Sequence, residues 1–441
     1  MSFRVKLFGR GTALLWLTAG LLTCGSVRGQ KPQSFDQYRD SVLRNLGVDN
    51  VGRYAFLPFD DWMAQCPELP AETPGERRAV FYRAWATFWM NTLPAEGSWI
   101  HPIICPGSRF FYGTWLWDTG FHVLGLQYGG PKARQLALWQ IQTVLNGQHE
   151  SGKLPRETWK SGAQFFGEGI QAPGILTLAA NRLYSVAKEE KAEVRDALKQ
   201  FYPQLVRNHD WFFAHLDRGR GLCGWTGPDS GWDSSPRWDS PGVKEALDLN
   251  CFLYLDCLEL ATMARTLERD KEAESWAQRG ADLSHKIRTI CWNEALGVFN
   301  DTGPNGKPTD LITPVIFWPL WTGIATPEQA KGVLRYLNDP TQLGTPWPLP
   351  SVAAKNAAYR PAEFWRGGTW INLNWVAIRG LQRFGFKSEA SELRRKTLEL
   401  ISLTPVLYEL YDSRSGAPAG SPNYGWTSAL YIDLLLLPES Q

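Results

Sequence analysis

The sequence predicts an all-α fold, built as a closed double ring of paired helices. Three observations point there. Helical hydrophobic periodicity recurs from about residue 77 to the end, interrupted by Gly-, Pro- and Asn-rich loops. Strand-like alternation with β-branched residues is scarce throughout. The helical segments also fall into two kinds: 243–268 is apolar nearly all round, as a buried helix would be, whereas 271–291 keeps a clean polar face. Inner and outer helices in alternation fit a closed ring better than a solenoid, because no fixed sequence period is present.

In chain order the helical segments are 77–91, 131–147, 172–187, 190–215, 243–268, 271–291, 326–337, 368–384, 387–402 and 425–436. Five long loops separate them, at 101–120, 148–170, 217–242, 339–367 and 403–424, and these are enriched in Gly, Pro, Trp and Asp. Loops of more than about 12 residues in a compact domain are usually functional, so the chemistry is expected there. No Ser/Thr/Pro-rich linker divides the chain, which reads as one domain over 30–441 with a loosely packed lead-in at 30–75.

The first 29 residues are set apart. Arg4, Lys6 and Arg10 precede an uncharged apolar run from Thr12 to Cys24, too short to span a bilayer, and small residues follow. This is the layout of a cleaved secretory signal, with Val27-Arg28-Gly29 as a passable cleavage site before Gln30, and it predicts export to the periplasm or exterior. Leu21-Leu22-Thr23-Cys24-Gly25 resembles a lipobox with an atypical threonine, so lipid anchoring at Cys24 stands as the alternative to simple cleavage. Removing residues 1–29 removes four Arg/Lys and no acid, taking the formal charge from +2 to −2. A chain so near neutrality has no electrostatic reason to hold nucleic acid or an anionic membrane. No later segment reaches the length of a membrane span.

Six cysteines follow Cys24, too few for a disulfide scaffold, and Cys251 and Cys257 face different sides of one predicted helix. Neither a CxxC nor an HExxH motif is present, so neither a metal nor another cofactor is expected. The 22 tryptophans carry more information. Tryptophan offers a flat apolar face suited to the C–H face of a pyranose, and a small carbohydrate is the expected partner; an aromatic-rich barrel interior is the other reading.

Two segments carry candidate acids. In Asp229-Ser-Gly-Trp-Asp233-Ser-Ser-Pro-Arg237-Trp238-Asp239, an acid between Trp232 and Ser234 can be desolvated and raised in pKa, as a general acid requires. The same aspartate can equally be a helix cap or Asx-turn residue. In Leu407-Tyr408-Glu409-Leu-Tyr411-Asp412, Glu409 is flanked by aromatics, whereas Asp412 has a plain turn role beside Ser413 and Gly416. Two carboxylates in aromatic loops fit a glycosidase pair, and in inverting enzymes they stand roughly 6.5–9.5 Å apart, leaving room for water.

Ser230-Gly-Trp-Asp-Ser-Ser-Pro-Arg-Trp-Asp239, Phe364-Trp-Arg-Gly-Gly-Thr-Trp-Ile-Asn-Leu-Asn374, Tyr408-Glu-Leu-Tyr-Asp412 and Gly425-Trp-Thr-Ser-Ala-Leu430 occur in the order seen in glycoside hydrolase family 63. Over about 105–436 the chain resembles that family, and more distantly the trehalases of family 37. The resemblance implies an (α/α)6 barrel and an inverting mechanism, with Asp233 matching the general acid and Glu409 the general base. It also places Arg109, Phe110, Trp115, Trp117, Asp118, Gln171, Arg237, Trp365, Arg366 and Trp426 at sugar subsites. Read from the residues alone, Trp117 can stack on a ring or fill the core, and Arg366 can donate to hydroxyls or pair with a structural carboxylate. No trehalase-type Pro-Glu-Ser-Tyr-Arg-Glu-Asp segment lies between 171 and 233, and Trp-Arg-Gly-Gly-Thr replaces the usual Trp-Arg-Gly-Pro. The large N-terminal β-domain of eukaryotic oligosaccharide-processing glucosidases is also missing, which points to compact bacterial members acting on small α-glucosides or α-mannosides. The alternatives are a trehalase, a non-catalytic sugar-binding protein, against which retention of both acids argues, and a barrel-type lyase or epimerase. The last needs His or Tyr for proton transfer, and none of the six histidines lies in the four motifs.

Overall fold

The computed structural model describes residues 35–46, 56–107, 111–164, 169–170 and 174–436. The predicted signal at 1–29 and Cys24 lie outside them, as do Arg109, Phe110 and Gln171. In chain order the helices are α1 (Arg39–Leu46), α2 (Phe59–Met63), α3 (Gly75–Met90), α4 (Leu116–Leu126), α5 (Pro131–Asn146), α6 (Ile175–Val186), α7 (Lys191–Leu216) and α8 (Gly227–Ser230). They continue with α9 (Leu247–Thr266), α10 (Asp270–Ile290), α11 (Trp318–Thr322), α12 (Pro327–Lys331), α13 (Leu334–Leu337), α14 (Ile371–Arg383), α15 (Lys387–Ser402) and α16 (Gly425–Leu436).

Six of them close a ring. α4 packs on α6, α6 on α9, α9 on α11, α11 on α14, α14 on α16, and α16 returns to α4. Around it stand α3 against α16, α5 against α4 and α6, α7 against α6 and α9, α10 against α9, and α15 against α14 and α16. The fold is an (α/α)6 barrel. Burial follows the two predicted patterns. Every residue of α4 is buried, as are Gly425 through Leu434 of α16. In α10 the buried residues are Ala273, Trp276, Gly280, Leu283, Ser284 and Ile287, one stripe at helical spacing facing α9.

Three local expectations needed correction. The stretch 101–120 is not all loop: α4 begins at Leu116. Its sequence, with Gly120 and Gly125 and no polar face, has poor intrinsic helix propensity, so burial on all sides makes it helical. The single helix expected at 326–337 is two short ones, α12 and α13, broken at Gly332-Val333. The region 403–424 contains an antiparallel hairpin pairing Tyr408–Tyr411 with Pro418–Pro422. Within the described part of the lead-in, the Trp62 ring stacks on Trp85 at 5.0 Å, and each indole N–H donates to the other residue's carbonyl, at 3.0 and 3.1 Å. Cys66, Cys105, Cys223, Cys251, Cys257 and Cys291 are all free thiols.

Candidate active site

One cavity of about 300 Å³ gathers most of the predicted residues: Trp115, Trp117, Asp118, Asp233, Trp365, Glu409 and Trp426 all line it. Its walls are built where chain segments turn into inner helices. Trp115 is the N-cap of α4, Trp365 and Trp370 lead into α14, and Tyr424 leads into α16. The positive ends of those helix dipoles therefore surround a space lined by carboxylates.

Asp233 sits two residues beyond Gly231, which adopts the left-handed conformation (φ 78°) and so ends α8. A Cβ at Gly231 would also meet the Trp117 indole at 2.8 Å, so only glycine lets this turn close over that ring. The next residue, Trp232, is fully buried and stacks on Trp365 at 5.0 Å; Trp365 in turn stacks on Trp370 at 3.7 Å. This column of indoles fixes the backbone from which Asp233 projects to the solvent-reached side of the cavity. Surrounding protein raises the pKa of Asp233, and the positive charge of Arg156 opposes the rise.

Glu409 lies on the first strand of the hairpin and is 5% exposed. Its Oε2 accepts from the Ser421 backbone N–H at 3.0 Å. Gly420 makes the bond possible: it is left-handed (φ 70°), and a Cβ there would come within 2.6 Å of Glu409 Oε2. Burial pushes the Glu409 carboxyl up to about 7; the Ser421 N–H and the Tyr424 hydroxyl favour its charged form, while the charge of Asp233 disfavours it.

Asp118, at the third position of α4, is 2% exposed, and its Oδ1 has no hydrogen-bond partner among the described residues. Burial, then the charge of Glu409, raise its pKa well above the ordinary value. An unsatisfied buried carboxyl oxygen on a cavity wall is suited to a substrate hydroxyl, which would supply the missing bond. Trp117 packs edge-on against Trp426 at 5.1 Å and lines the cavity.

Two predicted sugar contacts are structural instead. Arg237 is fully buried and grips two carboxylates, Asp248 at 2.6 and 2.8 Å and Asp301 at 2.8 Å twice. Burial alone would weaken its charge, but the paired aspartates raise its pKa above normal. It ties the Asp233 loop to α9 and to the segment at Asp301. Arg366 donates to both oxygens of Asp239, at 3.0 and 2.7 Å, joining the loop before α9 to the loop before α14. Breaking a buried ion pair typically costs about 3–5 kcal/mol, so Arg237→Leu, which strands two aspartates, is expected to lower stability by at least about that much. Urea unfolding measures it, and an unchanged midpoint would contradict the arrangement.

Sequence reasoning passed over Arg156, Trp370 and Tyr424, all of which line the cavity. Arg156 donates to Glu157 at 3.0 Å and to the Pro228 carbonyl at 3.1 Å, and stands 5.9 Å from the centre of the Trp115 ring. In the sequence it stands only as Pro-Arg-Glu inside a Gly-containing loop. Trp370 stood inside a motif already noted, and Tyr424 immediately before another. Among the described residues no cluster of His, Cys, Asp and Glu has metal-binding geometry, and no helix is long and apolar enough to cross a membrane.

Residues 111–427 match the family model described as the mannosylglycerate hydrolase MGH1-like glycoside hydrolase domain. A mannosylglycerate hydrolase of Thermus thermophilus is 25% identical over 407 residues, covering 74% of this chain and 95% of its own. A glucosylglycerate hydrolase of Mycolicibacterium hassiacum is 24% identical over 410 residues, covering 73% and 91%. Among solved structures, a family 63 mannosylglycerate hydrolase of Thermus thermophilus in complex with glucose is similar with a TM-score of 0.69 and 22% identity, over 80% of this chain and 99% of that one. Neutral trehalase of Saccharomyces cerevisiae gives 0.62 at 20% identity, over 75% of this chain and 72% of that one. At those identities the two structures speak to the fold.

Proposed function

Because this chain belongs to the MGH1-like glycoside hydrolase family of the mannosylglycerate hydrolases, we propose that it is an inverting, exo-acting α-glycosidase in which Asp233 is the general acid and Glu409 the general base. The observation that carries the reading is the meeting of two carboxyls, both raised in pKa, on one aromatic-walled cavity. The sugar is an α-glucosyl or α-mannosyl unit, held by Asp118 and the indoles of Trp115, Trp117 and Trp426. The aglycone is small and polar; glycerate, named for the relatives above, is the first to try. In the reaction Asp233 protonates the departing oxygen, while Glu409 takes a proton from a water that attacks the anomeric carbon from the opposite face.

One observation favours a second reading with the roles exchanged. Glu409 is the more deeply buried of the two acids, and Asp233 has Arg156 beside it to stabilise its charge. Burial holds the Glu409 carboxyl up to about 7, whereas the Arg156 charge counters the rise at Asp233. The pair titrates jointly, however, and bound substrate changes what each carboxyl faces. The order of the motifs supports the first assignment.

Stereochemistry tests what both readings share. Hydrolysis of an α-glycoside by inversion releases the β-anomer first, visible by proton NMR in the first minutes of reaction. Initial release of the α-anomer would mean retention and would make one of the two carboxyls a nucleophile. We also infer export, from the charged and apolar layout of residues 1–29; N-terminal sequencing of the protein from the host's envelope or medium tests it, and an intact Met1 would refute it.

A further inference from the structure

Away from the glycosidase cavity, α6, α7 and α9 bury a chain of polar groups that shares no residue with it. Thr177 Oγ1 donates to Asp256 Oδ1 at 2.6 Å, Asp256 Oδ2 lies 2.9 Å from His209 Nδ1, and His209 Nε2 lies 3.7 Å from Cys257 Sγ. All four side chains are more than nine-tenths buried. With the Asp256 carboxylate as acceptor, Nδ1 carries the imidazole hydrogen, and Nε2 presents its lone pair to the Cys257 S–H. A thiol, an imidazole and a carboxylate in that order form the arrangement by which a thiol is activated as a nucleophile.

The buried network ends in a hollow of about 180 Å³ between α7 and α10, lined by His209 and Cys257 and walled by Arg279, Asp282 and Lys286. The wall thus carries two cations and one carboxylate. Arg279 is paired with Asp210 at 2.8 Å. Lys286 has no ion pair among the described residues. None of the other described cysteines lines this hollow or the glycosidase cavity.

We propose that this hollow is a thiol–disulfide exchange site, in which Cys257 forms a mixed disulfide with small disulfides that bear carboxylates. Burial pushes the Cys257 thiol up to about 12, so it rests protonated, and its reactivity depends on His209. His209 Nε2 takes the thiol proton as Cys257 Sγ attacks one sulfur of the disulfide. The new S–S bond forms, the old one breaks, and the leaving thiolate takes the proton from Nε2–H. Cys257 is oxidised and one half of the reagent is reduced to a thiol. Lys286 and Arg279 attract a carboxylated reagent to the opening.

The test treats the folded full-length chain with either dithiodipropionate, a dianion, or cystamine, a dication of similar length, and maps the adducts by peptide mass spectrometry after acid quench. The expected adduct is on Cys257, forming about tenfold faster with dithiodipropionate at low salt. Lys286→Glu, a change on the solvent side of α10, should erase or reverse that preference. His209→Gln should slow the Cys257 adduct with both reagents and leave Cys66 unaffected; should that variant fail to fold, Lys286→Glu decides. Absence of a Cys257 adduct in the folded chain, when the urea-unfolded chain is modified there, overturns the proposal. So does an adduct whose rate is the same for both reagents and unmoved by Lys286→Glu.

Discussion

Asp233→Asn is expected to lower the turnover of an alkyl α-glycoside by about 10²–10⁴-fold, the usual cost of losing general acid catalysis, while folding and sugar affinity are kept. Asparagine has the shape of the aspartate but no proton to give to the leaving oxygen. Because Asp233 reaches solvent within the cavity and the Trp232–Trp365–Trp370 column holds its backbone, the substitution leaves the scaffold alone. The loss should shrink on aryl glycosides, whose leaving groups depart with less help. Steady-state kinetics on the two substrate kinds therefore identify the acid. Equal losses on both would remove Asp233 from that role, and a leaving-group dependence appearing instead in Glu409→Gln would establish the exchanged assignment.

Glu409→Ala should cost a similar factor, about 10²–10⁴-fold, but with a different rescue. The space left by the carboxylate can admit azide, which needs no base, and a β-glycosyl azide from an α-glycoside would show attack from the face that Glu409 served. The pH dependence follows from its environment. A general base works only when ionised, and burial, aided by the Asp233 charge, holds Glu409 up to about 7 in the free enzyme. As base, its activity is lost as pH falls through that value, so kcat/KM should show an acidic limb near neutrality. Asp233→Asn removes one of the causes that raise Glu409, so the residual activity should have its acidic limb at lower pH. Tyr424→Phe removes a hydroxyl that favours the charged form, and the limb should move upward. A profile in which either variant moves the limb the other way would mean that it reports a different group.

The amino-acid sequence by itself determined the kind of fold and named most of the residues that meet at the candidate site. An apolar-all-round segment such as 247–266 can only be buried, a one-sided segment such as 270–290 can only be an outer layer, and their alternation leaves a double ring of helices. The acids and indoles in the segments before α9, α14 and α16 pointed to the candidate site, because loops carried by a rigid scaffold are where binding side chains gather. Tertiary structure alone decided the rest. α4 is helical because α6 and α16 close on it, a cause that lies some sixty to three hundred residues away in the chain. Arg237 and Arg366 read alike in sequence, as arginines beside tryptophan in a site loop. Only the fold brings Asp248 and Asp301 to one and Asp239 to the other, and so turns both into ties between loops. Arg156 entered the site for the same reason: its position is fixed by Glu157 and by the Pro228 carbonyl from a distant turn. A charged group's role depends on which opposite charge reaches it in three dimensions, and neither residue type nor periodicity carries that information.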